Sequence, residues 1–225
     1  VYFALISTKK AEQNKVWVGL SKETAHQLGT PISSLMAWMD LLESSGVDPS
    51  LLSDMNKDVN RLSVIAERFS KIGSKPEMEL IYVNEVLENA TEYMRRRVSD
   101  KVLITTHLPS DAEGAMVCLS LFEWVIENLC KNAVDAMNGE GRIDVYMTSE
   151  KQQIYIDIKD TGKGIARKNF KTVFNPGYTT KKRGWGLGLT LAKRIIEDYH
   201  AGRIYVKDSE VGKGTTFRIE LKRVV

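Results

Sequence analysis

The chain has 225 residues, of which 43% are hydrophobic and 27% charged, and its formal net charge is +3 at pH 7. This composition is ordinary for a soluble globular protein of one large or two modest domains, and the small positive charge does not indicate nucleic-acid binding. The two cysteines, Cys118 and Cys130, lack metal-ligand spacing and are predicted to be reduced core thiols.

The first residues, Val1 to Ile6, are apolar and are followed closely by Lys9 and Lys10. Such a junction is typical of the cytoplasmic end of a membrane helix, and equally of the start of a soluble helix. We expect residues 1–7 to be the end of a membrane helix or a linker. The rest would then be a soluble cytoplasmic fragment of a parent protein anchored in the inner (cell) membrane.

Residues 8–73 are predicted to form an antiparallel helical hairpin. Apolar residues alternate by four and three in two series, separated by a turn at Gly46–Ser50. Two helices cannot bury both series alone, which predicts a homodimer with a four-helix bundle; the alternative is that they pack on the chain's own C-terminal part. The two series are Ala25, Leu28, Ile32, Leu35, Met39 and Leu42, and then Met55, Val59, Leu62, Ala66 and Phe69.

A proline interrupts the first of these series. Pro31 cannot donate a hydrogen bond to the carbonyl of Gln27, so the helix is predicted to bend or loosen there. His26 lies beside the series, where solvent can reach it, and Thr30 lies one turn further along the same face. Taken alone, His26 is better interpreted as a half-exposed surface histidine, and the weakened helix beside it favours a function without deciding for one.

Residues 74–225 follow a break at Gly73-Ser74-Lys75-Pro76 and are predicted to form a second domain. Its strands and helices mix without regular alternation, which predicts an α+β sandwich with helices on one face of a mixed sheet. The predicted strands are 79–82, 102–107, 115–119, 142–148, 153–159, 203–207 and 215–221, and the predicted helices are 83–98, 121–137 and 187–199.

Two segments of this domain carry polar residues that packing alone does not require. Asn128 and Asn132 stand four residues apart on one helix face, where neutral oxygens suit a magnesium ion that keeps most of its waters. Asp160 ends a strand and is followed by Gly162 and Gly164, an arrangement that lets a carboxylate accept from the amino group of a flat ligand. Each pattern has a plainer alternative, an exposed helix face or a tight turn.

Two further segments suggest phosphate binding. Glycines at the start of a helix let backbone N–H groups and the positive helix end meet phosphate oxygens, although the spacing matches neither a Walker A loop nor the dinucleotide fingerprint. The aromatic, hydroxyl and basic residues before them predict a mobile flap over a polyphosphate, or else a solvated basic loop. The residues concerned are Gly184, Gly186 and Gly188, and before them Phe170, Phe174 and Tyr178 to Arg183.

The order and spacing of these segments, behind a histidine-bearing hairpin, resemble the sensor histidine kinases of two-component systems over almost the whole chain. The resemblance implies a dimerisation and phosphoacceptor domain at 8–73 and, at 74–225, an ATP-binding catalytic domain of the type shared with gyrase, Hsp90 and MutL. It implies that His26 is autophosphorylated from ATP with Mg2+, and that the phosphoryl group passes to an aspartate in the receiver domain of a response regulator.

The resemblance also implies individual roles. Asn128 and Asn132 match the N box, with Asn132 as the magnesium ligand and Lys131 reaching phosphate. Asp160 would read the adenine amino group, with Gly162 and Gly164 lining the base and ribose. The other implied residues are Phe170 and Phe174 of the F box, Gly184, Gly186 and Gly188 at the phosphates, and Thr180 and Lys181 in the lid.

The acceptor motif departs from the family pattern at two positions. Gln27 follows His26 where most members have an acidic residue, and Gly29 replaces the usual arginine. A glutamine can accept from Nδ1–H of the histidine but cannot take a proton, so we expect slower autophosphorylation than a glutamate would give. Thr30 stands where relatives orient water to dephosphorylate their regulator, so that activity is expected as well.

Two other functions remain open from the sequence. One is an ATPase of the same nucleotide-binding class that hydrolyses ATP without transferring the phosphoryl group to a protein. It would need a water-activating glutamate where this chain has Asn128. The other is a nucleotide-binding dimeric scaffold, or a phosphatase-dominant homologue with weak kinase activity, which Gln27 keeps open.

Overall fold

The first helix, α1 (Tyr2–Ser44), is unbroken although Pro31 lies inside it. A computed structural model describes residues 2–74, 76–180 and 186–224, with side chains from residue 18 onward. The helix starts earlier than the predicted Thr8, and the turn around Pro31 remains helical rather than interrupted. None of the helices in these ranges has the length and apolarity that a membrane span requires.

The second helix, α2 (Pro49–Gly73), is capped by Asp48, whose Oδ1 accepts from the Ser50 N–H at 2.8 Å. It packs antiparallel on α1: the chain turns back at its start, and its last residue, Gly73, lies directly against Lys22. The buried contacts between the helices come from alternate members of the two predicted series, namely Ile32, Met39, Val59 and Ala66, with Leu28 partly buried beside them.

These helices belong to one compact unit, Val1–Pro76, and the rest of the chain, Glu77–Val225, forms a second. The second unit contains three α-helices and seven strands in the ranges that the structure describes. They are β1 (Glu79–Tyr82), α3 (Val83–Arg95), β2 (Val102–His107), β3 (Gly114–Val117), α4 (Leu119–Ala136), β4 (Gly141–Glu150), β5 (Gln153–Asp160), α5 (Gly188–Arg194), β6 (Arg203–Glu210) and β7 (Gly214–Lys222).

The main sheet has the strand order β2-β4-β5-β7-β6, in which only β2 and β4 are parallel, and β1 pairs with β3 in a separate antiparallel ribbon. One face of the sheet is apolar and packs against the helices, as the complete burial of Ile143, Ile156 and Ile219 indicates. The predicted class, a helical hairpin followed by an α/β sandwich with a mixed sheet, is confirmed.

The opposite face of the sheet is polar. Asp157 on β5 accepts from Arg218 Nε at 2.6 Å and Nη2 at 2.7 Å, and from Lys207 Nζ at 2.6 Å. Although burial raises the pKa of Asp157, the hydrogen bonds from these two cations outweigh it and lower that pKa. This polar face gives the alternating pattern from which the strands were predicted.

The main difference between the predicted and the observed secondary structure is in the helix predicted at 187–199. The α-helical part ends at Arg194, and Ile195–Tyr199 forms a π-helical turn. His200 follows it and is buried, with Nδ1 2.8 Å from the Ile195 carbonyl and Nε2 accepting from the Cys118 N–H at 3.0 Å. A contact across 82 residues, invisible to local periodicity, thus fixes the end of this helix.

The buried His200 predicts a pH dependence of stability. Burial lowers its pKa, so below about pH 6.5 the unfolded chain takes up a proton that the folded chain does not, and stability falls. The loss at pH 5.5 is at most about 1.4 kcal/mol, the free energy of one pH unit. Urea unfolding at pH 7.5 and 5.5 should show that His200→Gln costs less stability at the lower pH. An equal cost at both pH values would contradict this.

Both cysteines are free and buried, as predicted. Burial, with the nearby Glu127 charge, raises the pKa of the Cys130 thiol to about 12, so this thiol is unreactive at neutral pH.

Candidate functional site

One face of α4 forms the floor on which the predicted site residues meet. Asn128, Asn132 and Ala136 are spaced by four residues, so they follow one another along the same side of the helix. The glycine-rich loop after β5 contacts this face at Ala136, and the start of α5 contacts it at Asn128. Asn132 therefore lies between the two contacts.

The loop after β5 is held tightly against the end of α4. A Cβ atom on Gly162 would lie 2.8 Å from the Ala136 backbone, so no other residue fits there without a shift. The Lys163 N–H donates to the Ala136 carbonyl at 3.0 Å. Gly164 has a φ of +72°, and a Cβ there would meet the Glu210 carbonyl.

Asp160, at the end of β5, is buried and presents one carboxylate oxygen to the backbone. Its Oδ1 accepts from the Gly162 N–H at 2.8 Å and from the Thr215 N–H at 3.3 Å. Burial raises the pKa of Asp160, and these two hydrogen bonds act in the opposite direction. Its second oxygen, Oδ2, has no hydrogen-bond partner in the described part of the chain, which leaves it able to accept from a ligand.

Asn128 and Gly188 meet at the other end of the floor. A Cβ atom on Gly188 would lie 2.5 Å from Asn128 Oδ1. Asn128 Nδ2 is buried and has no partner within the described residues, an unusual state for a buried amide. A glycine at this position lets the start of α5 approach an amide whose donor remains available.

Lys131, the remaining predicted residue on α4, points away from the core. Its side chain is exposed, and its Nζ lies 3.8 Å from Oε2 of the buried Glu127. The lysine can therefore reach an anion near the floor while it balances the charge of Glu127.

The segment before α5 is tied to the glycine-rich loop after β5. Thr180 Oγ1 accepts from Lys163 Nζ at 2.8 Å, and the carbonyl of Gly186 accepts from the Gly177 N–H at 3.2 Å. The predicted residues Lys181 and Gly184 lie outside the described residues, as do Lys182, Arg183 and Trp185.

The two predicted F-box residues differ in their surroundings. Phe174 is buried and packs edge-to-face on Phe217 of β7, with ring centroids 6.1 Å apart, whereas Phe170 is only partly buried. The Phe174 carbonyl also accepts from Thr190 Oγ1 at 3.0 Å. Phe174 therefore anchors this segment to α5 and the sheet.

The arrangement in the second unit can hold a flat ligand that carries an amino group and an anionic tail. Asp160 supplies a buried acceptor at the loop end, the asparagines supply neutral amides along the floor, and Lys131 and Lys163 supply positive charge. Amide oxygens on this floor suit a hydrated magnesium ion that gains its remaining ligands from phosphate.

His26, in the first unit, lies exposed on α1. It lines a groove of about 680 Å³ between α1 and α2, together with Lys22, Glu23 and Glu67. Gln27, the next residue, is also exposed, and its Nε2 donates to Glu23 Oε1 at 2.6 Å. Thr30 is exposed one turn beyond His26, so its hydroxyl is accessible.

Sequence analysis missed several residues that shape the site. Thr215 donates to Asp160, and a Cβ on Gly214 would collide with the Asp160 carbonyl, so the start of β7 closes one side of the loop. The signal available was Gly212-Lys213-Gly214-Thr215, two glycines directly before a strand. Glu23 and Lys163 were also missed.

Comparisons with known proteins agree with this geometry. Residues 118–225 match the family described as histidine kinase-, DNA gyrase B-, and HSP90-like ATPase. The chain is 26% identical to sporulation kinase A of Bacillus subtilis over 220 residues, which are 95% of this chain and 36% of that protein. It is also 26% identical to the sensor histidine kinase ZraS of Salmonella typhimurium over 226 residues, 96% of this chain and 48% of that protein. The predicted resemblance to sensor histidine kinases is confirmed.

Solved structures show the same fold. Histidine kinase ThkA, in complex with the response regulator protein TrrA, aligns with a TM-score of 0.62 at 18% identity, covering 100% of this chain and 67% of that one. The present chain spans half or less of the two curated relatives named above.

Proposed function

We propose that this chain, whose residues 118–225 match the histidine kinase-, DNA gyrase B-, and HSP90-like ATPase family, is the kinase core of a sensor histidine kinase. It binds ATP in its second unit, phosphorylates His26, and passes the phosphoryl group to an aspartate of a response regulator. The observation that carries this proposal is the convergence of the Asp160 loop and the start of α5 on Asn128, Asn132 and Ala136 of α4.

ATP is the substrate that best fits the second unit. The free Oδ2 of Asp160 accepts from the exocyclic amino group of adenine, while Gly162 and Gly164 allow the base and ribose to approach the backbone. The start of α5, with Gly186 and Gly188, would hold the phosphates at the Asn128 end of α4, since Gly188 lies against Asn128. Lys131 would reach them from α4, and Thr180, which bonds to Lys163, would contact the nucleotide from the lid. Lys181 remains a proposed contact in the lid, and Gly184 remains a proposed contact with the phosphates.

The donor set of α4 fits Mg2+ rather than a tightly caged metal. Asn132 would hold the ion through its amide oxygen. The buried Nδ2 of Asn128, which has no partner in the described chain, is a donor and would bind a phosphate oxygen beside the ion. When bound, Mg2+ would neutralise charge on the ATP phosphates during transfer. Asn128 is an amide and cannot act as the general base that hydrolysis of ATP by water requires, which favours transfer.

The phosphoryl group goes to His26 because that imidazole is accessible. The lone pair on Nε2 attacks the γ-phosphorus, the bond to the leaving ADP oxygen breaks, and ADP takes that electron pair. Carrying ATP to His26 requires motion between the two units, and we place the hinge at Gly73–Pro76. The exposed Thr30, one turn from His26, would orient water when the same protein dephosphorylates its regulator.

The structure of ThkA with TrrA supports a response regulator as the partner, since it shows a related fold with such a protein. We propose that a receiver domain contacts the first unit at the groove beside His26. We place the parent protein at the inner (cell) membrane with this part in the cytoplasm, as the apolar residues 1–6 followed by lysines suggest.

A homodimer follows from the apolar surface that the hairpin leaves exposed. Leu35, Leu42, Met55 and Leu62 belong to the predicted series, yet their exposed fractions are 40%, 36%, 45% and 42%. Their alternate neighbours in the two series close the hairpin. An unpaired stripe of this length on both helices is what a second copy would cover in a four-helix bundle.

Leu62→Glu is expected to convert the dimer into a monomer, because it places a charge in the centre of the proposed bundle core. Sedimentation velocity measures the mass directly. Val64→Glu is the matched control, since Val64 is 44% exposed but lies about 200° around the helix from Leu62. The proposed interface is wrong if Leu62→Glu remains dimeric.

The kinase proposal is tested with ATP labelled at the γ-phosphate in the presence of Mg2+. A kinase core keeps acid-labile label on the protein and then passes it to an added receiver domain. Release of the label only as inorganic phosphate would instead indicate an ATPase that transfers nothing.

A further inference from the structure

We propose that Glu23 is a positioning residue for the phosphorylation of His26. It replaces, from one turn earlier in α1, the acidic side chain that the acceptor motif lacks at position 27. This inference rests on the proposed histidine kinase function and concerns a residue outside the family's acceptor motif.

The hydrogen bond between Glu23 and Gln27 fixes the orientation of the Gln27 amide. Gln27 Nε2 donates to Glu23 Oε1 at 2.6 Å, a short distance that fits a charge-assisted bond. A carboxylate can only accept, so the amide nitrogen must face Glu23. The amide oxygen Oε1 is then the free end of the side chain, with no partner among the described residues. It is the atom that can accept from Nδ1–H of His26.

Glu23 also lies close to His26 itself. The two residues are three apart in α1, a spacing at which side chains are neighbours on one helix face. Both line the groove between α1 and α2. The other charged residues of that groove are Lys22, one turn before His26, and Glu67 on α2. Glu67 is 3.0 Å from Lys71, so Glu23 is the carboxylate linked to the acceptor motif.

The step in which Glu23 acts is the attack on ATP. Before transfer, the proton on Nδ1 is held by the Gln27 oxygen, which leaves the lone pair on Nε2 directed at the γ-phosphorus. As the N–P bond forms and the bond to ADP breaks, the ring becomes a positively charged phosphoimidazolium. The Glu23 carboxylate, one turn away, stabilises this charge, and the Nδ1 proton then leaves to water because His26 is exposed.

Replacing Glu23 tests this role. Glu23→Gln removes the charge but keeps a side chain of the same size. It is expected to lower the single-turnover rate of autophosphorylation about tenfold, the effect of losing one charge-assisted hydrogen bond. The KM for ATP should not change, because ATP binds in the second unit. Glu67→Gln, which removes a carboxylate from the same groove, is the matched control and should keep the wild-type rate.

A charge swap tests whether a carboxylate beside His26 is what the transfer requires. In the double variant Glu23→Gln with Gln27→Glu, the same hydrogen bond forms with donor and acceptor exchanged, and the carboxylate now lies next to His26. The rate should return to the wild-type level or exceed it. Two results would refute the role of Glu23 while leaving the kinase function intact, provided that the wild type is labelled on His26. One is a double variant as slow as Glu23→Gln, and the other is a Glu23→Gln variant with the wild-type rate. An unlabelled wild type would refute the kinase function and, with it, this inference.

Discussion

Asp160→Asn is expected to weaken ATP binding about 100-fold while the second unit stays folded. This loss of affinity follows from the loss of a hydrogen bond to a charged group, which is worth about 1.5–3 kcal/mol, and from a repulsion between two hydrogen-bond donors. This is the largest effect on nucleotide affinity that the geometry predicts for one substitution.

The asparagine variant is expected to bind ATP more weakly because of the way the backbone holds the side chain at position 160. The Gly162 and Thr215 N–H groups both donate to Asp160 Oδ1, so in the asparagine variant they require the amide oxygen at that position. The amide nitrogen must then occupy the place of Oδ2. Two donors, this NH2 group and the adenine amino group, would face each other, and the variant cannot relieve the conflict by turning the amide over.

Isothermal titration calorimetry with a non-hydrolysable ATP analogue gives the affinity directly. Asp157→Asn is the matched control, because Asp157 lies on the same strand but pairs with Arg218 and Lys207 on the opposite face of the sheet. It should reduce stability and leave the affinity unchanged. If Asp160→Asn binds the analogue as tightly as the wild type, Asp160 does not read the base.

Much of the second unit could be predicted from local sequence patterns. The strands at Glu79–Tyr82 and Val102–His107 have the predicted bounds. In the second of them the buried Val102 and Ile104 flank the exposed Leu103, the alternation that marks a strand with one packed face. Asn128 and Asn132 were placed on one helix face by spacing alone. The end of α5 was not predictable, because the π-helical turn depends on a hydrogen bond from the distant Cys118 to His200.

In the first unit, the sequence pattern does not distinguish the residues that pack within the hairpin from those that face outward. The alternation by four and three includes Ile32, Met39, Val59 and Ala66, which pack between the two helices, but it does not say which partner each residue of the series meets. Ile32 and Met39 close the hairpin, whereas Leu35 and Leu42 face outward, and the periodicity is the same for all four. Only the three-dimensional path of α2 separates the two sets.

Glu23 was missed for another reason. Its contact with Gln27 is local, four residues along one helix, so the spacing alone would have revealed it. The acceptor motif begins at His26, so the family pattern does not include the turn of α1 in which Glu23 lies.

The measurement that tests the central claim most directly compares the wild type with His26→Ala after incubation with Mg2+ and ATP labelled at the γ-phosphate. The chain has three histidines. His200 is buried with both ring nitrogens engaged, which excludes it as an acceptor. His107 is exposed, with Nε2 3.0 Å from Asp144 Oδ1, and therefore needs a control variant of its own. We expect acid-labile, base-stable label on the wild type and on a His107→Ala control, and none on His26→Ala. ATP binding without label on the wild type, or label that persists on His26→Ala, would contradict the assignment of His26 as the phosphoacceptor.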